Sequence, residues 1–128
     1  MFKPILFAAV LLLASSLSAL AQQTANELLN DCEVLERGLK ISGDRVSIPR
    51  DAQAYVCWGF IAAVQQFSVI AEGKHRILHA CPPAETTLVQ LIRVFTNYAQ
   101  NHPQELHEPA ASIAVRALRH AFPCLDTD

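Results

Sequence analysis

Ala52–Ala71 reads AQAYVCWGFIAAVQQFSVIA, and the reading of this stretch decides the fold. Wound at about 100° per residue, its apolar side chains do not keep to one face. Cys57, Ile61 and Val64 point one way, Tyr55, Trp58 and Ala62 another, and Val56, Phe60, Ala63 and Phe67 a third. No charge interrupts it between Asp51 and Glu72. A helix apolar all round is either a membrane span or the central helix of a bundle. Gln53, Gln65, Gln66 and Ser68, with amphipathic sequence on either side, argue for the second. The stretch therefore predicts the buried central helix of a small all-α domain. It is expected to start around Pro49 to Asp51, where proline suits the first turn, and to end at Gly73 as a glycine cap.

Three further helices are expected to cover it. Thr24-Ala25-Asn26-Glu27 has the form of a capping box, and Leu28, Leu29, Cys32, Leu35 and Leu39 follow at helical spacing, predicting a helix over about Ala25 to Arg37. Lys40 to Pro49, with Gly43-Asp44 and Pro49, reads as a loop. Lys74 to Ala84 reads as a second connection, closed by Pro82-Pro83. Thr87-Leu88-Val89-Gln90 is another capping box and opens a third helix to about Gln100. Its stripe is Leu88, Leu91, Ile92, Phe95, Tyr98 and Ala99, with Gln90, Arg93, Thr96 and Asn97 outward and Val89 and Val94 off the stripe on opposite sides. After Asn101-His102-Pro103, Gln104 to Glu108 forms a turn or a short extra helix. The last helix runs from about Pro109 to Ala121, with a small-residue seam of Ala110, Ala114, Ala117 and Ala121. The expected architecture is a small four-helix bundle, five helices if the turn counts.

Residues 1–21 are expected to be a cleaved signal peptide. Lys3 supplies the positive start, Ile5 to Leu13 the apolar run, and Ala19-Leu20-Ala21 an A-x-A site before Gln22. The mature domain is then 22–128, one domain by size, with nine basic against twelve acidic side chains. That balance, without clustered basic charge, gives no footprint for nucleic acid or an anionic membrane. All four cysteines, Cys32, Cys57, Cys81 and Cys124, lie in the exported part. An even count in a small exported domain implies two disulfides and an oxidising compartment, the periplasm if the source is bacterial. Antiparallel neighbours bring together residues equidistant from the loop that joins them. Cys32 and Cys57 are symmetric about the point between Asp44 and Arg45, and Cys81 and Cys124 flank His102-Pro103 in the same way. Of three possible pairings, this favours Cys32–Cys57 with Cys81–Cys124.

Nothing specific points to catalysis. Cys57 with one of the five histidines could form a nucleophile pair, but a cysteine within an apolar helix of an exported chain reads first as half a disulfide. His75 and His79 are four apart, yet they sit between Gly73 and Pro82-Pro83 with no accompanying carboxylate, so no metal or cofactor is expected. Glu33/Glu36 and Glu105/Glu108 read as solvated charge or first-turn acids facing a helix dipole, and Arg116 and Arg119 as surface or ion-pair groups. Two features suggest binding. Lys74-His75-Arg76, with His79 close behind, is a basic cluster on an acidic protein, in a connection long enough to protrude. Val89 and Val94 leave the third helix apolar beyond its stripe, reaching either a wide core or a second subunit.

Several segments together resemble the Rap/Tai immunity family. They are Cys81-Pro82-Pro83, Thr87-Leu88-Val89-Gln90-Leu91, Tyr98, His102-Pro103-Gln104-Glu105-Leu106-His107, Ala117-Leu118 and Ala121-Phe122-Pro123-Cys124. Upstream, Leu28-Leu29, Cys32 and Cys57-Trp58-Gly59-Phe60-Ile61 extend the likeness, with Trp58 where small or polar residues are commoner. The resemblance implies an all-helical periplasmic protein, associated with type VI secretion, that neutralises an injected peptidoglycan amidase. It further implies a homodimer that plugs the effector's Cys–His cleft with a protruding element. Inhibitory residues are not part of the shared signature. The expected contacts, Lys74, His75, Arg76 and His79, with Asp44 and Arg45 as a second loop, rest on protrusion and charge. The rival readings are a periplasmic chaperone-like binding module without an amidase partner and a Cys-dependent hydrolase.

Overall fold

The computed structural model describes residues 22–125; the expected signal peptide lies outside them. Helix α1 spans Ala25–Gly38 and opens on the capping box: the Glu27 amide donates to Thr24 Oγ1 at 3.3 Å and the Thr24 amide to Glu27 Oε2 at 2.7 Å. Its other first-turn N–H groups, which no residue of the helix can accept, are taken by the segment before the last helix. Ala25 N–H donates to the Glu108 carbonyl and Asn26 N–H to that of Leu106, both at 2.9 Å. In return Ala110 N–H donates to the Gln23 carbonyl at 2.9 Å.

The supposed loop after α1 is a hairpin, β1 (Lys40–Ser42) against β2 (Arg45–Ser47), with Ser42 paired to Arg45. Gly43 takes the positive φ, 57°, that the first central position of a type II′ turn demands. Gly38 is required for a different reason. A Cβ there would stand 2.7 Å from the Pro49 ring, so the chain folds back against the end of α1 only without one.

Helix α2, Ala52–Ser68, starts where Asp51 caps the amides of Gln53 and Ala54 at 2.8 and 3.4 Å. It ends at Ser68, five residues short of Gly73. The chain leaves the helix through Val69, still in the right-handed region at φ −89° and ψ −11°, and Ile77 N–H donates to the Ile70 carbonyl at 3.0 Å, opening a second hairpin. That hairpin pairs β3 (Ala71–Glu72) with β4 (His75–Arg76) across Gly73-Lys74. Gly73, at φ 63°, is the hairpin turn and not a helix cap. Among the described residues the chain thus forms four helices with two small antiparallel hairpins, one at each end of α2, and is not purely all-α.

Helix α3, Leu88–Asn101, opens on the Thr87/Gln90 capping box. A 3-10 turn at Pro103–Glu105 precedes α4, Ala110–Ala121. The core is one cluster drawn from all four helices: Leu28, Cys32 and Leu35, then Cys57 and Ile61, Leu91, Ile92 and Phe95, and Ile113 and Leu118. Ala110, Ala114 and Ala117 are buried along the expected seam, while Ala121 is exposed. Thr96, expected outward, is buried beside α1, its hydroxyl 3.3 Å from Glu36 Oε1 and 3.2 Å from the Arg93 carbonyl. Disulfides join Cys32 to Cys57 and Cys81 to Cys124.

The central helix is not buried all round. Ala54, Cys57, Ile61, Val64 and Ser68 face the core, and the opposite side is open to solvent. That outer side carries Ala52, Val56, Gly59, Ala63 and Phe67 at spacings of a helical stripe, all exposed, with Tyr55 beside them. Among the described residues no helix is long and apolar enough to cross a membrane.

Candidate binding surface

The outer stripe of α2 runs into the β3–β4 hairpin, and the two form one apolar surface. Phe67 (54 % exposed), Val69 (60 %), Ile70 and Ile77 crowd the base of the hairpin within a few residues of one another, all open to solvent. An exposed apolar cluster rimmed by polar residues marks an interaction site more often than an accident of packing. Lys74 at the turn and His75 on β4 supply the polar tip and are exposed, as is His79. His79 stands in the left-handed region at φ 50° and donates its amide to the Arg76 carbonyl at 2.9 Å, turning the chain back toward the body.

This hairpin is braced from behind. The Cys81–Cys124 disulfide, a bridge between Ala80 and Pro123, and the Cys81 amide donating to the Phe122 carbonyl at 2.8 Å fasten its return strand to the end of α4. Arg119, expected as a surface or ion-pair group, donates from Nε to the Leu78 carbonyl at 2.7 Å and adds a further tie. A protruding element held this firmly loses little conformational entropy when it docks.

Three of the four expected contact residues, Lys74, His75 and His79, lie on this outward surface. Arg76 does not: it is partly buried, and its guanidinium turns inward to donate to the Ser68 carbonyl at 3.3 Å, over the C-terminal end of α2. Sequence reasoning missed Phe67, Val69, Ile70 and Ile77, which it assigned to a buried helix or a plain connection. Asp44 and Arg45 are exposed on the β1–β2 hairpin, beyond the other end of α2. Ile41 and Val46, paired across that hairpin, are also exposed. Val89 and Val94 are only partly covered; Val94 lines a groove of about 360 Å³ with Tyr98, His102 and His120.

The His102–Glu108 segment performs a structural task. His102 stacks on Tyr98 at 3.9 Å between centroids and its Nδ1 donates to the Tyr98 carbonyl at 2.7 Å. Arg116 grips both Glu105, at 3.0 Å, and Glu108, at 2.6 Å, so these carboxylates are not free surface charge. Hydrogen bonding from Arg116 holds the Glu108 carboxyl below the usual carboxylate range against the opposing effect of burial. Burial, with the Glu105 carboxylate nearby, raises the Tyr98 phenol. Glu33 and Glu36 likewise accept from Gln100 and Thr96 across the α1–α3 contact. Among the described residues no group of three or more His, Cys, Asp or Glu side chains is placed to hold a metal ion.

The family of Rap1a immunity proteins matches residues 24–124, from the Thr24 cap to the second disulfide. The chain belongs to that family. No curated protein and no solved structure gives a match. Membership of the Rap1a immunity proteins implies that the chain binds a cognate effector, and immunity proteins are generally non-enzymatic. The matched span takes in both hairpins, the outer face of α2 and the Glu105–Glu108–Arg116 clamp. The Rap1a match therefore covers the whole surface described above.

Proposed function

We propose that this Rap1a protein is a periplasmic immunity protein that neutralises a peptidoglycan amidase delivered by type VI secretion. It does so by seating the β3–β4 hairpin and the apolar surface at its base in the amidase's catalytic cleft. The observation that carries this reading is the braced, exposed hairpin lying within the family-matched span. The resemblance of the Cys81–Pro83 and His102–His107 segments to the Rap/Tai family supports the amidase as target. The signal-peptide-like residues 1–21 and two disulfides support the periplasm. Occlusion asks for shape, apolar area and rigidity, and the surface offers all three.

A homodimer belongs to the same proposal, with its contact moved from Val89 and Val94 to the outer stripe of α2. Gly59 and Ala63 leave room there for a second helix to approach closely, and Tyr55 and Val56 provide apolar area beside them, leaving Phe67 to the hairpin base.

The test uses the mature chain and a hydrolase with a Cys–His pair encoded beside it. Peptidoglycan hydrolysis is followed as protein is added, for the wild type and for Ile70→Asp/Ile77→Asp. Inhibition complete near equimolar protein, and lost in the double variant with the circular dichroism unchanged, is the expected result. A hydrolase fully active in excess wild-type protein refutes the proposal.

A further inference from the structure

Arg76 sits in a pocket that its bond to Ser68 does not fill. The cavity, about 130 Å³, lies where the end of α2, strand β4 and the Pro82–Thr86 connection converge, and its walls include Gln65, Ser68, Pro82, Pro83, Thr86 and Leu91. Its volume equals the liquid share of about four water molecules, room for a carboxyl group and the methylene that bears it. A guanidinium has five N–H donors, and the Ser68 carbonyl engages one of them at 3.3 Å. Among the described residues the ion pairs involve Arg37 and Arg116, and none involves Arg76. Glu85, on the same connection, is exposed. The Thr86 hydroxyl has no hydrogen-bond partner among the described residues, whereas the Thr86 carbonyl accepts from Gln65 Nε2 at 3.2 Å and fixes that wall.

An arginine without an anionic partner, set against proline and leucine walls, is a receptor for a planar two-oxygen anion, since its fork matches a carboxylate in bidentate contact. The Pro82, Pro83 and Leu91 part of a wall that also carries Gln65, Ser68 and Thr86 strengthens such a pair by limiting the approach of water. The pocket opens beside Val69, so its ligand arrives with whatever covers the hairpin base. We propose that Arg76 receives an Asp or Glu side chain of the bound effector, with the Thr86 hydroxyl as a second donor. The effector segment that covers the hairpin is then apolar with one acidic residue, and Arg76 is a specificity determinant set behind the exposed tip. This rests on the occlusion reading above, and its test separates the two.

The mature protein, labelled with nitrogen-15, is titrated with sodium acetate and, at matched ionic strength, with sodium chloride. Saturable shifts at the Arg76 side chain and the Thr86 amide with acetate alone, absent in Arg76→Gln, are expected. Binding of the neighbouring hydrolase is then measured by calorimetry. Arg76→Gln is expected to weaken it at least about tenfold, the worth of a charge-assisted hydrogen bond, and Arg93→Gln, at an exposed position of α3 outside the proposed contact, less than about threefold, as for a surface charge. Arg76→Lys, which keeps the charge and loses the fork, falls between. Because Arg76 also caps α2, each variant is checked for an unchanged melting temperature, and the acetate titration of the wild type stands apart from any loss of fold. Equal shifts with chloride, no shift with acetate, or full affinity in Arg76→Gln overturns the carboxylate site and leaves occlusion standing. A wild-type protein that does not bind the hydrolase overturns both.

Discussion

Arg116 holds Glu105 and Glu108 together, and through them it fixes the turn that receives the start of α1. The Glu108 carboxyl is depressed by the Arg116 hydrogen bonds, and the Glu27 carboxyl by the Thr24 amide and hydroxyl. A depressed carboxylate stabilises the fold fully above its ordinary value of 4.5. Below that the unfolded chain takes up protons first, and the contribution is gone once pH passes the folded value. Stability is therefore expected to fall as pH drops through 4.5 and downward, and Glu108→Gln to flatten that fall; urea titrations between neutral and acid pH measure both. The effect is modest because Glu27 is exposed and Glu108 only partly covered. Gly38 gives a sharper prediction: Gly38→Ala puts a methyl group against the Pro49 ring and is expected to destabilise by roughly 1–3 kcal/mol, read by denaturant unfolding. Neither role was legible in the sequence. Arg116 lies 11 and 8 positions from its partners, across a turn whose geometry no periodicity encodes, and Pro49 reaches Gly38 only because the segment read as a loop folds back on the helix.

At the scale of elements, capping chemistry and amphipathic spacing were readable because they are local. Thr24, Asp51 and Thr87 start their helices by hydrogen bonds within a few residues. The hinge symmetry that favoured Cys32–Cys57 and Cys81–Cys124 needs only antiparallel neighbours, and the structure pairs the same cysteines. The hairpins were missed, although Ser42-Gly43-Asp44-Arg45 and Glu72-Gly73-Lys74-His75 both carry glycine at the first central position of a two-residue turn. Strands of two or three residues have too little alternation to register as period two. The end of α2 was misplaced for a related reason, since Val69-Ile70 prolongs an apolar run whether the backbone is helical or extended. The two disulfides should separate under mild reductant. Cys32 and Cys57 are 0 % exposed, whereas Cys81 and Cys124 are partly open, so thiol labelling is expected to modify the second pair first. Replacing either pair by alanine should lower stability by roughly 3–4 kcal/mol. Loss of Cys81–Cys124 should also weaken effector binding in the folded variant, because that bond braces the β3–β4 hairpin.

For the whole molecule, the decisive feature is that α2 presents an apolar face on both sides. From sequence, a helix apolar all round promised complete burial; the 104 residues described here leave its outer stripe uncovered. Composition cannot distinguish a face covered by its own chain from one awaiting another molecule, since both are apolar. The stripe and the hairpin base together are the exposed apolar area to which the proposed function assigns binding. If the stripe joins two copies, Gly59→Gln/Ala63→Glu should convert a dimer to a monomer in sedimentation without altering the helical circular dichroism. A wild-type monomer at all concentrations would contradict that assignment. The most direct test of the account as a whole is a titration of the proposed effector, a Cys–His peptidoglycan amidase, with the mature wild-type protein, read as peptidoglycan cleavage. The account predicts that cleavage stops near one protomer per hydrolase; undiminished cleavage with the protein in excess contradicts it.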